Sequence, residues 1–375
     1  MDFDKIITIV LIVFIVALLF IVFLPDIKDM MSSSNAPDQN QEIITPDTNK
    51  ISGTDTSSIN NSSGINIFGK DTIPVNVYFC PSDECESVLL DLIEDAKESI
   101  DCAVYDIDLV SIRQALVSAK EKGKSIRLVS DLGRSSKKNS QIGLLKSAGI
   151  AVILNDSEQS YMHNKFCVFD NKTILVGSMN FTLNDIYKNN NNYIVFENKD
   201  IAEQFTKKID SFFQGNFSPS VSKDINYNKI KNIEFYFCPE DNCKFHFLEK
   251  LNDANVSIDC MFYSFTLDDA TNVLKDKNVS KRFIFETNTI DEYSEYSKLI
   301  DLNIPVIKDK NAKNMHNKLC IIDNVLVITG SMNLSVNGTE NNDETLIFVY
   351  DPEIAQEYTN YFNNYWFLWN DLNVS

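Results

Sequence analysis

The sequence predicts an α/β protein built as two tandem α/β/α lobes on mixed sheets, related by pseudo-two-fold symmetry and preceded by one N-terminal transmembrane helix. Three observations predict it. The chain repeats itself with a period of roughly 155 residues, the size of a domain and far longer than a solenoid unit. Apolar residues in each copy alternate between helical and strand spacing. One long apolar run stands at the N-terminus, outside both copies. A chain of 375 residues has room for two buried cores.

Residues 1–5 form a short tail. Ile6 to Leu24 is an uncharged run of nineteen residues, apolar but for Thr8, long enough at about 1.5 Å per residue to cross a hydrocarbon layer of ~30 Å. The leader Met-Asp-Phe-Asp-Lys and the following Pro25-Asp26-Ile27 lack the basic start and small-residue cleavage site of a signal peptide, so the run reads as a single-pass anchor. The expected location is the membrane, with the folded part on the extracytoplasmic side. Residues 25–70, rich in Ser, Asn, Asp, Thr and Pro, hold too little apolar surface to offset the entropy of ordering and read as a disordered tether. The lobes are expected over 71–220 and 230–375.

Within the first copy, Val88, Leu89, Leu92, Ile93 and Ala96 recur at helical spacing. Ser99–Tyr105 reads as a strand, Ile112–Glu121 as a helix and Ser125–Ser130 as a buried strand, followed by the strand pair Tyr161–Phe169 and Thr173–Ser178. The second copy keeps this rhythm. Val77–Cys85 (VYFCPSDEC) answers to Phe235–Cys243 (FYFCPEDNC), and Ser99–Cys102 to Ser257–Cys260, both reading SIDC. The eight cysteines fall at equivalent places in the two copies: Cys80 and Cys238, Cys85 and Cys243, Cys102 and Cys260, Cys167 and Cys320. Cys80–Cys85 and Cys238–Cys243 are close enough in sequence for local disulfides; free thiols and a zinc knuckle are the alternatives, zinc lacking any neighbouring His or further Cys cluster.

The formal charge of −19 excludes a basic nucleic-acid coat. Two of only three histidines stand in repeated motifs. Met162-His163-Asn164-Lys165, with Asp170 beyond, leads to Gly177-Ser178-Met179-Asn180; Met315-His316-Asn317-Lys318, with Asp323, leads to Gly330-Ser331-Met332-Asn333. On extended backbone His163 and Lys165 share a face, as do Ser178 and Asn180, while Asp170 points away. Each lobe would thus present an imidazole, an ammonium, a hydroxyl and an amide together. Lys, Ser and Asn can hold phosphate oxygens without a metal, and an imidazole can attack phosphorus or protonate a leaving oxygen. Facing lobes would place His163 and His316 on opposite sides of one phosphorus. Asp170 and Asp323 read as fixing strand ends or pairing with a buried cation. His246, between Phe245 and Phe247, reads as structural.

The doubled His-x-Lys-x4-Asp with Gly-Ser-x-Asn resembles the signature of the phospholipase D superfamily, over residues 74 to 370. In style it is most similar to the small bacterial nucleases and mitochondrial cardiolipin hydrolases of that superfamily, here duplicated in one chain. The resemblance implies a covalent phosphohistidine, no metal or cofactor, and an active site made between the lobes of one chain, so that no oligomer is required. It also implies a carboxylate after each histidine that accepts from the second ring nitrogen. The second copy has Glu344; the first has Asn191. With Glu344 assigned to its own copy, His316 becomes the expected site of the covalent phosphate and His163 the acid. The expected activity is a membrane-anchored phospholipase D-type hydrolysis of a phospholipid, with the bilayer as partner. The alternatives are a metal-independent endonuclease acting on nucleic acid, phosphatidyl transfer as in a cardiolipin synthase, and a catalytically decayed scaffold.

Overall fold

A computed structural model describes residues 71–371. The expected tail, membrane span and tether over 1–70 lie outside the described residues. Among the described residues no helix is long and apolar enough to cross a membrane.

The first lobe's strands are β1 (Val75–Cys80), β2 (Ser99–Val104), β3 (Ser125–Asp131), β4 (Ala151–Asn155), β5 (Lys165–Phe169), β6 (Thr173–Gly177) and β7 (Asn191–Glu197). They form one mixed sheet in the order β1-β7-β6-β5-β2-β3-β4. Pairing is parallel from β2 through β4 and antiparallel elsewhere. The second lobe repeats this with β8 (Lys229–Ile230), β9 (Ile233–Cys238), β10 (Ser257–Phe262), β11 (Ser280–Phe285), β12 (Val306–Lys308), β13 (Lys318–Ile322), β14 (Leu326–Gly330) and β15 (Glu344–Tyr350). Its order is β12-β11-β10-β13-β14-β15-β9-β8.

Helices cover both faces of the first sheet. On one face α1 (Cys85–Asp95) buries Leu89 and Ile93, and α2 (Val110–Glu121) buries Ile112 and Leu116, with Cys102, Leu128 and Leu175 of the strands. On the other, α4 (Lys199–Phe213), which follows the short helix α3 (Leu183–Tyr187), sets Phe205 and Ile209 against Phe166, Val176 and Ile194. That core runs without a break into the second lobe, through Phe237, Leu319, Val327 and Ile347 and the C-terminal helix Pro352–Asp371. Strand alternation is the cause: Phe166 and Val168 enter the shared core while Cys167 and Phe169 enter the outer one.

All eight cysteines are paired. Cys80–Cys85 and Cys238–Cys243 are local bridges. Cys102–Cys167 and Cys260–Cys320, which sequence spacing does not suggest, join residues directly opposite each other on β2/β5 and β10/β13.

The strand expected over Tyr161–Phe169 begins only at Lys165. Residues before it leave the sheet because their backbone groups pair with the other lobe. The Asp343 N–H donates to the Tyr161 carbonyl at 2.9 Å, and the His163 N–H donates to the Asp343 carbonyl at 2.9 Å. Asn190 and His316 repeat the pattern: the Asn190 N–H donates to Asn314 at 2.9 Å and the His316 N–H to Asn190 at 2.8 Å. Side chains extend the seam, with Thr329 donating to Asn192 at 2.6 Å and Asn192 to Asn317 at 2.8 Å.

Candidate active site

Each histidine sits just before a central strand, in a segment clamped from both lobes. A carboxylate at the end of β3 or β11, one strand removed in the sheet, faces the preceding methionine: Asp131 stands toward the Met162 N–H, and Glu286 accepts from the Met315 N–H at 2.5 Å. Burial pushes the Glu286 carboxyl up to about 7. A tyrosine meets each imidazole edge-on with ring centroids 4.8 Å apart, Tyr105 at His163 and Tyr263 at His316.

The side-chain pairing crosses the seam. His163 Nδ1 lies 2.7 and 2.8 Å from the two carboxylate oxygens of Glu344. His316 Nδ1 lies 2.9 Å from Asn191 Oδ1. This corrects the sequence expectation that Glu344 supports His316. The backbone bonds at Asp343 and Asn190 deliver each β7 or β15 start to the opposite histidine, so the carboxylate of one copy serves the ring of the other.

The serines also stand elsewhere than expected. Ser178 and Ser331 are fully buried. Ser178 Oγ donates to Asn191 at 2.9 Å, and Ser331 Oγ donates to Glu344 at 2.6 Å. They orient the groups behind the imidazoles, and are not aimed at a phosphate. The preceding glycines permit this approach: a Cβ at Gly177 would lie 2.3 Å from the Asn192 carbonyl oxygen, and one at Gly330 2.1 Å from that of Thr345.

His163 and His316 line one cleft of about 500 Å³ with Asn180, Asn333, Tyr105, Tyr263, Arg134 and Asp185. Asn180 donates to Asp185 at 2.6 Å. The Lys165 and Lys318 ammoniums donate to the His163 and His316 carbonyls at 2.7 and 2.8 Å and lie over the rings of Tyr105 and Tyr263, 5.2 and 4.8 Å from the centroids. Asp170 and Asp323 lie away from the cleft. Their carboxylates accept backbone N–H groups at the starts of β2 and β10, from Lys97, Glu98 and Ser99 and from Asn255, Val256 and Ser257. His246 stacks on Tyr236 at 3.8 Å, remote from this set. A second hollow lined by Lys207, Lys208 and Lys229 offers no free cation, since each lysine meets a carboxylate, of Glu203, Glu240 and Glu234 respectively.

Residues 89–213 and 247–366 match the family described as "Cardiolipin synthase, PLD-like domain". The chain belongs to this phospholipase D-like family. The mitochondrial cardiolipin hydrolase of Xenopus tropicalis is 30% identical over 144 residues, covering 38% of this chain and 68% of that protein. The phospholipase D of Rickettsia prowazekii is 31% identical over 131 residues, covering 35% of this chain and 63%, under two thirds, of that protein. The phosphatidylserine synthase of Haemophilus influenzae shares the fold over 77% of this chain and 85% of its own, at 14% identity and a TM-score of 0.57. The protein is thus a phosphodiesterase of the phospholipase D superfamily, and its electrostatics can be read in those terms.

Desolvation holds both imidazoles well below their ordinary 6.5, aided at His163 by Lys165 and at His316 by Lys318. Burial pushes Glu344 up to about 8, against the pull of Lys165. His163 and Glu344 therefore hold one proton between them along a 2.7 Å contact. Once that proton leaves, the neutral ring keeps its own proton on Nδ1 toward Glu344, its Nε2 lone pair is free, and the Glu344 charge faces any positive charge that develops on the ring. Desolvation lowers Lys165 to about 8 and Lys318 well below its ordinary 10.5, where the Lys165 charge adds its repulsion. An incoming phosphodiester anion relieves that repulsion.

Sequence reasoning missed Tyr105, Tyr263, Asp131, Glu286, Arg134 and Asp185. The tyrosines carried a signal, three residues after Cys102 and Cys260 in both copies. Arg134 and Asp185 carried none.

Proposed function

We propose that this protein hydrolyses a phospholipid phosphodiester at a membrane surface, with His163 as nucleophile and His316 as general acid and then base. The observation that carries this reading is the crossed support of two imidazoles on one cleft, carboxylate behind His163 and amide behind His316. His163 Nε2 attacks phosphorus, and the bond to the leaving alcohol breaks as His316 gives the alkoxide its Nε2 proton. Water then attacks the phosphohistidine, His316 takes the water's proton, the P–N bond breaks, and a phosphate monoester leaves. The charge on Glu344 balances the cationic ring while the P–N bond lasts. Asn180, Asn333, Lys165 and Lys318 supply the surrounding donors and positive charge.

Three features favour a lipid. The Ile6–Leu24 run suits an anchor. Beside the cleft, the first lobe exposes Val110, Leu183, Tyr187 and Tyr161. The first three lie in linked segments, since Leu183 N donates to Asp108 at 2.8 Å, and Ser111 and Tyr187 both hydrogen-bond Glu86, while Tyr161 lines the cleft itself. Polynucleotides need a basic path, yet two of the four arginines, Arg127 and Arg282, are committed to Asp101 and Asp259. Four disulfides favour an oxidising, extracytoplasmic setting.

The test presents the full chain, in chelator, with vesicles containing cardiolipin or phosphatidylglycerol and with single-stranded DNA. The expected result is release of a phosphate monoester from vesicles, lost in His163→Ala and His316→Ala. Cleaved DNA beside intact vesicles would replace the substrate with nucleic acid, a phosphatidyl product dependent on added glycerol would replace hydrolysis with transfer, and inactivity on both would remove the enzymatic reading.

A further inference from the structure

The two lobes differ at two aligned positions near the histidines, and the differences are opposite in sense. Thirteen residues after the motif serine, the first lobe has the neutral Asn191 and the second has Glu344. Five residues after the motif asparagine, the first lobe has Asp185 and the second has Gly338. Each lobe therefore keeps one carboxylate, at a different place. Asp185 Oδ1 lies 3.8 Å from His316 Nδ1, the same nitrogen that Asn191 engages at 2.9 Å. The Asp185 carboxylate is buried and fixed: it accepts from the Asn180 N–H at 2.8 Å, from Asn180 Nδ2 at 2.6 Å and from Asn189 Nδ2 at 2.5 Å.

We infer that Asp185 is the positioning carboxylate of His316, standing in for the one that Asn191 lacks and stabilising on that ring the proton which the leaving alcohol takes. The inference rests on the proposed function. Folding the motif loop is no sufficient reason for Asp185, because the second lobe forms the same Gly-Ser-Met-Asn turn around Gly338. A Cβ there would lie 2.2 Å from the Asn333 carbonyl oxygen, so no carboxylate fits in that lobe. The groups facing His316 are Lys318 on its own strand, Lys165 and His163 from the first lobe, and Asp185 from α3; the first three oppose a proton on the ring and Asp185 favours one. Tyr263 presents only its ring edge. A direct carboxylate contact at His163 suits a ring that carries phosphorus. A carboxylate one gap away at His316 suits a ring that must give up its proton on demand.

The test compares phosphatidyl diesters with p-nitrophenol or ethanol as leaving group, reading kcat/KM, which reports the step in which that group departs. Asp185→Asn is expected to lower kcat/KM on the ethyl ester about 100-fold and on the aryl ester less than about 5-fold, since p-nitrophenolate leaves without a proton. It should also move the alkaline limb of the ethyl-ester pH profile to lower pH. Asn191→Glu in that background should restore the ethyl ester to within about 10-fold of the parent. Asn191→Glu alone, which leaves Asp185 and its hydrogen bonds in place, should move the alkaline limb to higher pH. Equal losses on both esters with an unmoved limb would overturn the inference, as would an unmoved limb in the single Asn191→Glu variant whether or not Asp185→Asn folds. A parent enzyme that cleaves neither ester would instead defeat the proposed function.

Discussion

Replacing Glu344 by Gln keeps the size and one acceptor and removes the charge behind His163. Glu344 meets His163 Nδ1 at 2.7 Å, accepts from Ser331 at 2.6 Å and is fully buried. The change removes the anion that faces the cationic ring in the proposed phosphohistidine and forces an amide to choose between His163 and Ser331. A neutral group in the equivalent place of a catalytic triad lowers turnover about 10⁴-fold, so kcat here should fall about 10³–10⁴-fold, or about 4–5.5 kcal/mol, with little change in KM. Stability supplies an independent reading. Between about 4.5 and 6.5 the His163–Glu344 pair holds one proton both folded and unfolded. From 6.5 to about 8 the folded pair keeps it while the unfolded chain releases it. The folded state binds more protons there, so stability falls as pH rises through that window, by about 2 kcal/mol at ~1.36 kcal/mol per pH unit. Glu344→Gln should abolish that share of the decline. Urea unfolding of both proteins at pH 6.5 and 8, with steady-state kinetics on an aryl phosphodiester, reads both quantities. Less than a tenfold loss of kcat, together with an unchanged pH slope, would refute the pairing of Glu344 with His163.

Further outcomes follow from the same geometry. Lys165, lowered to about 8, is charged below that pH and neutral above it; KM for an anionic diester should therefore rise above pH 8, and Lys165→Met should remove the rise while raising KM throughout. The disulfide Cys102–Cys167 closes a separation of 65 residues and Cys80–Cys85 one of 5. Chain entropy then assigns losses of about 4 and about 2 kcal/mol to paired Cys→Ala removal, a ranking that denaturant midpoints can test. Ser331→Ala should lower kcat about tenfold with KM nearly unchanged, because Ser331 holds Glu344 rather than substrate; a purely KM effect would return the serine to the phosphate.

Much of this architecture was legible in the chain because period and duplication are local properties. Helical spacing at Leu89 and Ile93 and the apolar run Phe166–Phe169 mark surfaces that the fold must bury. The doubled His-x-Lys and Gly-Ser-x-Asn mark two half-sites by sequence alone. What spacing could not reveal was which half serves which. That depends on the Met162–Asp343 and Asn190–Met315 bridges, contacts between residues far apart in sequence. Strand pairing within each lobe, also between residues far apart in sequence, makes the Cys102–Cys167 bond and sets Ser178 and Ser331 against Asn191 and Glu344. Asp185 was invisible for the opposite reason: a duplication highlights what both copies share, and the second copy has Gly338 there.

The most direct test is to locate the covalent phosphate. In the proposed reaction His316→Ala removes the base that activates water but leaves an aryl leaving group able to depart, so an adduct should accumulate during turnover. Alkaline quench and peptide mass spectrometry should then place it on His163. Phosphate on His316 in the parent enzyme, or an aryl ester turned over by His163→Ala, would contradict the account.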